Sequence, residues 1–180
     1  MGERKMDNIQ NDNNLLPKKF LLVVFSYHHQ NTEKIAKVMA NVLNAQIKTP
    51  QDIKPVELPD YDLVGFGSGI YSAKHDESIL ELADELPEVN HKNAFIFSTA
   101  GITGKSKASK DHAILREKLQ SKGYSILDEF QCKGFNTNSF LKLFGGMNKG
   151  RPNARDLKHA EEFACEVKTN HRDLIMDHGE

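Results

Sequence analysis

The sequence has almost no net charge, only two cysteines, no tryptophan and no long apolar run. Its 24 basic residues nearly cancel its 25 acidic ones, and a formal charge of -1 leaves no broad field for capturing nucleic acid or an anionic membrane. Cys132 and Cys165 form no CxxC pair and no framework able to staple a secreted fold, so reduced structural thiols are expected. No stretch approaches the about 18 continuous apolar residues of a spanning helix, and the start of the chain lacks the apolar core of a signal peptide. A cytoplasmic protein is expected, with neither nucleic acid nor membrane among its partners.

What is present suffices for one packed domain: 180 residues, 38% of them apolar. Residues 1–17 are rich in Asn, Asp and charge and show no apolar period, which predicts a disordered lead. The domain is expected over 18–170, and a polar tail over 171–180. The run FLLVVF, Phe20 to Phe25, has the continuous apolar character of a strand covered on both faces. Ile35, Met39, Val42 and Leu43 follow at helical spacing, with Thr32 as the expected cap and Glu33 in the first turn.

Further strands are predicted at Ala45–Lys48, Asp62–Gly67, Asn93–Ser98 and Tyr124–Gly134. Helical faces lie between them: Ile79, Leu82, Ala83 and Leu86, then Leu115 and Leu119, then Leu157, Ala160, Phe163, Ala164 and Val167. Gly123 stands where a helix would end. Five strands alternating with helices predict an α/β fold, a three-layer doubly wound sandwich around a five-stranded parallel sheet.

In such a sheet ligands bind beyond the carboxyl ends of the strands, so three loops matter. The first, SYHHQNT over Ser26–Thr32, offers hydroxyls, an amide and backbone N–H groups leading into a helix, a cradle for an anion. In the second, SGIYSAKHD over Ser68–Asp76, Gly69 admits a flat ligand and Tyr71 is able either to stack on it or to pack at the rim. The third, STAGITGKS over Ser98–Ser106, is small and bears glycine directly after a strand.

These residues resemble flavodoxins. The segment SYHHQNTEKIAKVMA after FLLVVF is similar to their phosphate loop and first helix, although His28 and His29 replace the usual Thr-Gly and Gln30 lengthens the loop by one. The similarity runs from about Phe20 to about Val167, and a fifth strand with no long insertion between Tyr124 and Gly134 resembles the short-chain type. It implies bound FMN, with the phosphate at Ser26, His28, Gln30, Asn31 and Thr32. The ring would lie between Ser68, Gly69, Ile70 and Tyr71 on one side and Ser98, Thr99, Ala100 and Gly101 on the other.

The resemblance also implies electron transfer to a redox partner protein or a small electron acceptor; oligomeric state is left open. Two departures favour a competing reading, an NAD(P)H-dependent quinone or flavin reductase. Thr99 to Thr103 offer no aromatic to cover the outer flavin face, and flavodoxins are usually acidic where this chain is nearly neutral. A cofactor-free scaffold of the same fold is the third possibility.

Other readings are weaker. Adjacent His28 and His29 rarely converge on one metal ion, so no metal is expected. The string TAGITGKS nearly matches the GxxxxGKS phosphate loop of nucleotide hydrolases, but Thr99 occupies the first glycine position and no strand ending in a metal-binding Asp follows. No GxGxxG fingerprint is present. The glycine-rich segment Gly134–Asn153 either borders the ligand or simply connects strand to helix, and His75, His91 and His159 read as surface residues.

Overall fold

The computed structural model describes residues 19–137 and 145–177, the side chains at 175 and 177 excepted. The expected lead over 1–17 therefore lies outside the described residues, as does the centre of the Gly134–Asn153 segment. The chain runs β1 (Phe20–Phe25), α1 (Asn31–Leu43), β2 (Gln46–Lys48), two 3-10 turns, β3 (Leu63–Tyr71), β4 (Lys74–His75) and α2 (Glu77–Glu85). It continues as β5 (Lys92–Ala100), α3 (Lys105–Asp111), α4 (Ala113–Ser121), β6 (Tyr124–Lys133) and α5 (Ala154–Asp177).

The five expected strands pair in parallel in the order β2-β1-β3-β5-β6. A sixth, β4, is a two-residue antiparallel addition to β3 that no hydrophobic pattern announces. It forms because β3 runs past the sheet and turns back through Ser72 (φ 49) and Ala73 (φ 63), the two left-handed positions of a tight hairpin. α5 continues past residue 170 to Asp177, with His171 buried, so the first part of the expected polar tail is helix.

The two faces of the sheet make two cores. On one, α1 and α5 cover Leu22, Val24, Phe95 and Phe97 with Ile35, Met39, Phe163 and Val167. On the other, α2 and α4 cover Val23, Val64, Phe66 and Ile96 with Ile79, Leu82, Leu115 and Leu119. Burying side chains of this size contributes about 1.5 to 3 kcal/mol each. The alternating glycines of β3 have a packing cause: a Cβ on Gly67 would stand 2.2 Å from the Phe97 ring and one on Gly65 2.4 Å from Phe95. β3 thus yields its side-chain space to β5, and Gly69 extends the same bare stripe beyond the core.

β2 lies on one side of β1 and β3 on the other, so the order reverses there and the loops after β1 and β3 part company. A crevice opens at that point.

Candidate functional site

The crevice is lined by Ser26, His28, Asn31 and Thr32 from the first loop and helix, Gly69, Ile70 and Tyr71 from the end of β3, and Thr99, Ala100 and Gly101 from the end of β5. The structure brings these ten sequence-predicted residues together. Gly134, Phe135 and Asn136, from the segment after β6, complete the wall. Three predicted residues stand elsewhere. Gln30 is exposed at the start of α1, and Ser68 and Ser98 are fully buried beneath the crevice, facing the α2/α4 side.

The turn into α1 is built against conformational preference. His29 (φ 54) and Gln30 (φ 52) are consecutive left-handed residues, each costing about 1 to 2 kcal/mol relative to the right-handed region. Such strain concentrates at ligand clamps. The expected cap at Thr32 is corrected by the geometry, because the helix starts a residue earlier, at Asn31, and no side chain at Gln30 caps it. Ser26 Oγ accepts the Glu33 N–H at 3.3 Å instead, and Thr32 Oγ1 lies 2.8 Å from Thr99 Oγ1, tying the start of α1 to the end of β5.

The described residues on either side of 138–144 are fastened to the crevice wall. Asn31 Nδ2 donates to the Phe135 carbonyl at 2.8 Å, and Asn148 Nδ2 donates to the carbonyls of Gly101 at 2.7 Å and Gly134 at 3.2 Å. His29 packs on Phe135 with centroids 4.4 Å apart and meets Thr137 Oγ1 at 2.8 Å. Three glycines keep the walls open. A Cβ on Gly69 would stand 2.7 Å from the Tyr71 hydroxyl, on Gly101 2.5 Å from Met147 Cε, and on Gly134 2.9 Å from Asn31 Nδ2. Burial, then the charge of Asp76, raises the Tyr71 phenol against a hydrogen bond from the His28 backbone, so the ring stays neutral at the crevice edge.

Below the crevice lies a polar layer that the sequence reading missed. Ser68 on β3 and Ser98 on β5 are register partners, and each meets a buried histidine: Ser68 Oγ and His75 Nδ1 at 2.8 Å, Ser98 Oγ and His112 Nε2 at 2.7 Å. The two imidazoles sit 5.0 Å apart. His112 Nδ1 continues to Glu129 Oε2 at 3.0 Å, and Arg116 binds both oxygens of that carboxylate. Burial alone would raise the Glu129 carboxyl, but hydrogen bonds and charge from His112 and Arg116 hold it down at about 2.

His75 is therefore a buried residue, not the surface residue expected. Its place immediately before the helix cap Asp76 is the signal that finds it, because that position commonly packs inward against the fourth helical residue. Ser68 Oγ takes the Asp76 N–H at 3.0 Å and its single proton goes to the Gly69 carbonyl at 2.8 Å. Donor counting then assigns the hydrogen of His75 to Nδ1 and leaves Nε2 as a buried acceptor without a partner. His91 and His159 are exposed, as expected.

Burial, then the neighbouring His112, lowers His75 well below the usual histidine range, with Glu129 opposing. The folded chain thus keeps His75 neutral where the unfolded chain takes a proton. Stability is full above about pH 6.5 and falls as the pH drops below it, by up to about 1.4 kcal/mol per pH unit for one proton. His75→Gln is expected to flatten the stability profile between about pH 6.5 and 5 relative to the unaltered chain. Urea melts at each pH read this, and two parallel profiles would refute it.

The fold and the placement of this crevice define an open α/β protein with its site at the switch between β1 and β3. A family model described as a flavodoxin domain matches residues 22–175, and the chain belongs to that family. An uncharacterized protein of Methanocaldococcus jannaschii is 50% identical over 152 residues, covering 84% of this chain and 99% of its own. Among solved structures, oxidised flavodoxin 2 from Bacillus cereus is similar at a TM-score of 0.62 and 17% identity, covering 83% of this chain and 97% of its own. A flavodoxin from the domain Archaea is similar at 0.57 and 16%, covering 86% and 99%. At these identities the solved structures speak for the fold. No described helix is long and apolar enough to cross a membrane, and no metal-binding cluster occurs among the described residues.

Proposed function

We propose that the chain holds FMN in this crevice and passes electrons to a redox partner or small acceptor. The observation that carries the reading is the strained turn into α1, where Ser26 and Thr32 and the first helical N–H groups meet a cleft walled by bare glycines. Hydroxyls, amides and the positive end of a helix suit a phosphate dianion. Asn31 Oδ1 is buried beside the cleft without a partner, an acceptor suited to a ribityl hydroxyl or a ring N–H. When bound, the flavin supplies the redox chemistry; the chain's own groups orient it and set its surroundings.

Tyr71 and the edge Gly69–Ile70 would border the ring on one side, and Thr99, Ala100 and Gly101 on the other. A second reading, an NAD(P)H-dependent quinone or flavin reductase, draws support from the loop after β5, which brings no aromatic to the cleft and leaves Ile102 65% exposed. FMN-loaded protein, reduced photochemically, is expected to pass its electrons to ferricyanide while the oxidised protein shows no sustained NADH or NADPH oxidation with any quinone. Sustained turnover would replace the carrier by the reductase. A chain that takes up no FMN would end both readings and leave a scaffold.

A further inference from the structure

On the segments that frame the mouth of the crevice the exposed charge left without a salt bridge among the described residues is positive, although the chain as a whole is nearly neutral. The segments that frame it are 26–30, 72–75, 101–107, 133–137 and 145–153. They contain Lys74, Lys105, Lys107, Lys133, Lys149 and Arg151 and no Asp or Glu. Lys74 pairs with Glu77, Lys107 with Asp111, and Arg151 with Asp156. Lys105, Lys133 and Lys149 are exposed and form no salt bridge among the described residues.

None of these cations lines the crevice, so they are not spent on a ligand phosphate inside it. They stand on four separate elements and border an opening flanked by two large exposed side chains, Tyr27 at 75% and Ile102 at 65%. The acids that follow the 72–75 segment are already engaged: Asp76, whose charge reaches Tyr71, caps α2 by accepting from Ser78, and Glu77 pairs with Lys74. Glu33 and Asp52 lie beside Tyr27 toward the β2 edge, where Glu33 pairs with Lys37 and Asp52 accepts the Thr49 hydroxyl. Apolar contacts ringed by exposed charge are the anatomy of a protein interface, and one-signed charge steers a partner of the opposite sign.

We infer that this face docks an acidic protein over the crevice, through Tyr27 and Ile102 at its centre and Lys105, Lys133 and Lys149 at its rim. That the partner exchanges electrons rests on the function proposed above; the docking itself does not. A small anion is the poorer fit, since no cation enters the pocket. A polyanion such as nucleic acid would use the lysines but leave Tyr27 and Ile102 without a role.

The test uses the full chain, isotope-labelled, with and without FMN, and an acidic plant-type ferredoxin as the probe. Amide shifts are expected to move in the five segments named, with affinity falling steeply toward about 0.5 M salt as screening takes hold. Lys105→Glu with Lys149→Glu is expected to weaken binding at least tenfold. Lys19→Glu with Lys122→Glu, at the opposite ends of the strands, changes the net charge equally and is expected to leave it unchanged. The inference is overturned by silence at low salt, by shifts confined to other surfaces, or by equal losses in the two double variants. Basic cytochrome c or a short DNA duplex binding this face as tightly as the ferredoxin would overturn it too. FMN uptake, followed separately by fluorescence, tells a failure of the flavin reading from a failure of the docking face.

Discussion

On the proposed reading, replacing Ser26 by Ala and Thr32 by Val together is expected to weaken FMN binding by about 100-fold or more, because each would remove a hydroxyl assigned to the phosphate and hydrogen bonds to charged groups contribute about 1.5 to 3 kcal/mol. The two side chains are not equivalent. Ser26 also receives the Glu33 N–H, so its loss removes the nearest thing α1 has to a cap, at about 1 kcal/mol of stability. Thr32 also bonds Thr99 across the crevice, so its loss loosens the cleft wall. Thr99→Val serves as the control: it breaks the same tie to Thr32 while leaving both first-loop hydroxyls in place. A fluorescence-quench titration in which the double variant binds no more weakly than Thr99→Val would remove the phosphate assignment.

Glu129→Ala is expected to be the most damaging single change in the layer beneath the crevice, at about 3 kcal/mol, because it strands partners that the carboxylate satisfies. His112 loses its Nδ1 partner in a fully buried position, and Arg116 loses both of its contacts to Glu129. For a domain of this length that corresponds to a fall in melting temperature of roughly 6 to 12 °C. Arg116→Met leaves the His112 contact standing and is expected to cost less. Calorimetric melts that rank the two variants the other way would show that the guanidinium, not the carboxylate, organises the layer. The Glu129 carboxyl is held at about 2, so its contribution is full above the ordinary carboxylate range and is lost as the pH falls from about 4.5 toward 2.

The architecture was legible because its signals are local. FLLVVF spans β1 residue for residue, and the helical faces of α1, α2 and α5 carry the apolar spacing that buries them. Most of the crevice was legible for a different reason: in a parallel sheet the loops after adjacent strands must converge, so naming the loops named the residues.

What the pattern did not show is long-range or conformational. Phe135 and Gly134 join the wall through Asn31 and Asn148, partners 104 and 14 positions away, and Asn136 through its backbone pairing with Met147; no periodicity encodes such bonds. The loops and the family resemblance place Ser68 and Ser98 at the ligand, but strand alternation turns them to the other face, where His75 and His112 take them. The expected cap at Thr32 rests on its place just before the helical spacing of Ile35, Met39, Val42 and Leu43. The helix instead begins at Asn31 after two consecutive left-handed residues, His29 and Gln30, a pairing that no apolar spacing encodes.

Cys132, expected to be a plain structural thiol, sits beside Thr99 on the next strand, and burial, then the charge of Asp156, raises its thiol to about 12 against Arg151. A thiol so held is inert at neutral pH.

The central claim is that the turn between β1 and α1 grips the phosphate of a bound flavin mononucleotide. The measurement that bears on it most directly is a paired titration of cofactor-free protein with FMN and with riboflavin, which differ by that phosphate alone. FMN is expected to bind one per chain and about 100-fold or more tightly than riboflavin, in keeping with two or more charge-assisted hydrogen bonds. Equal affinities for the two, or no uptake of either, would contradict it.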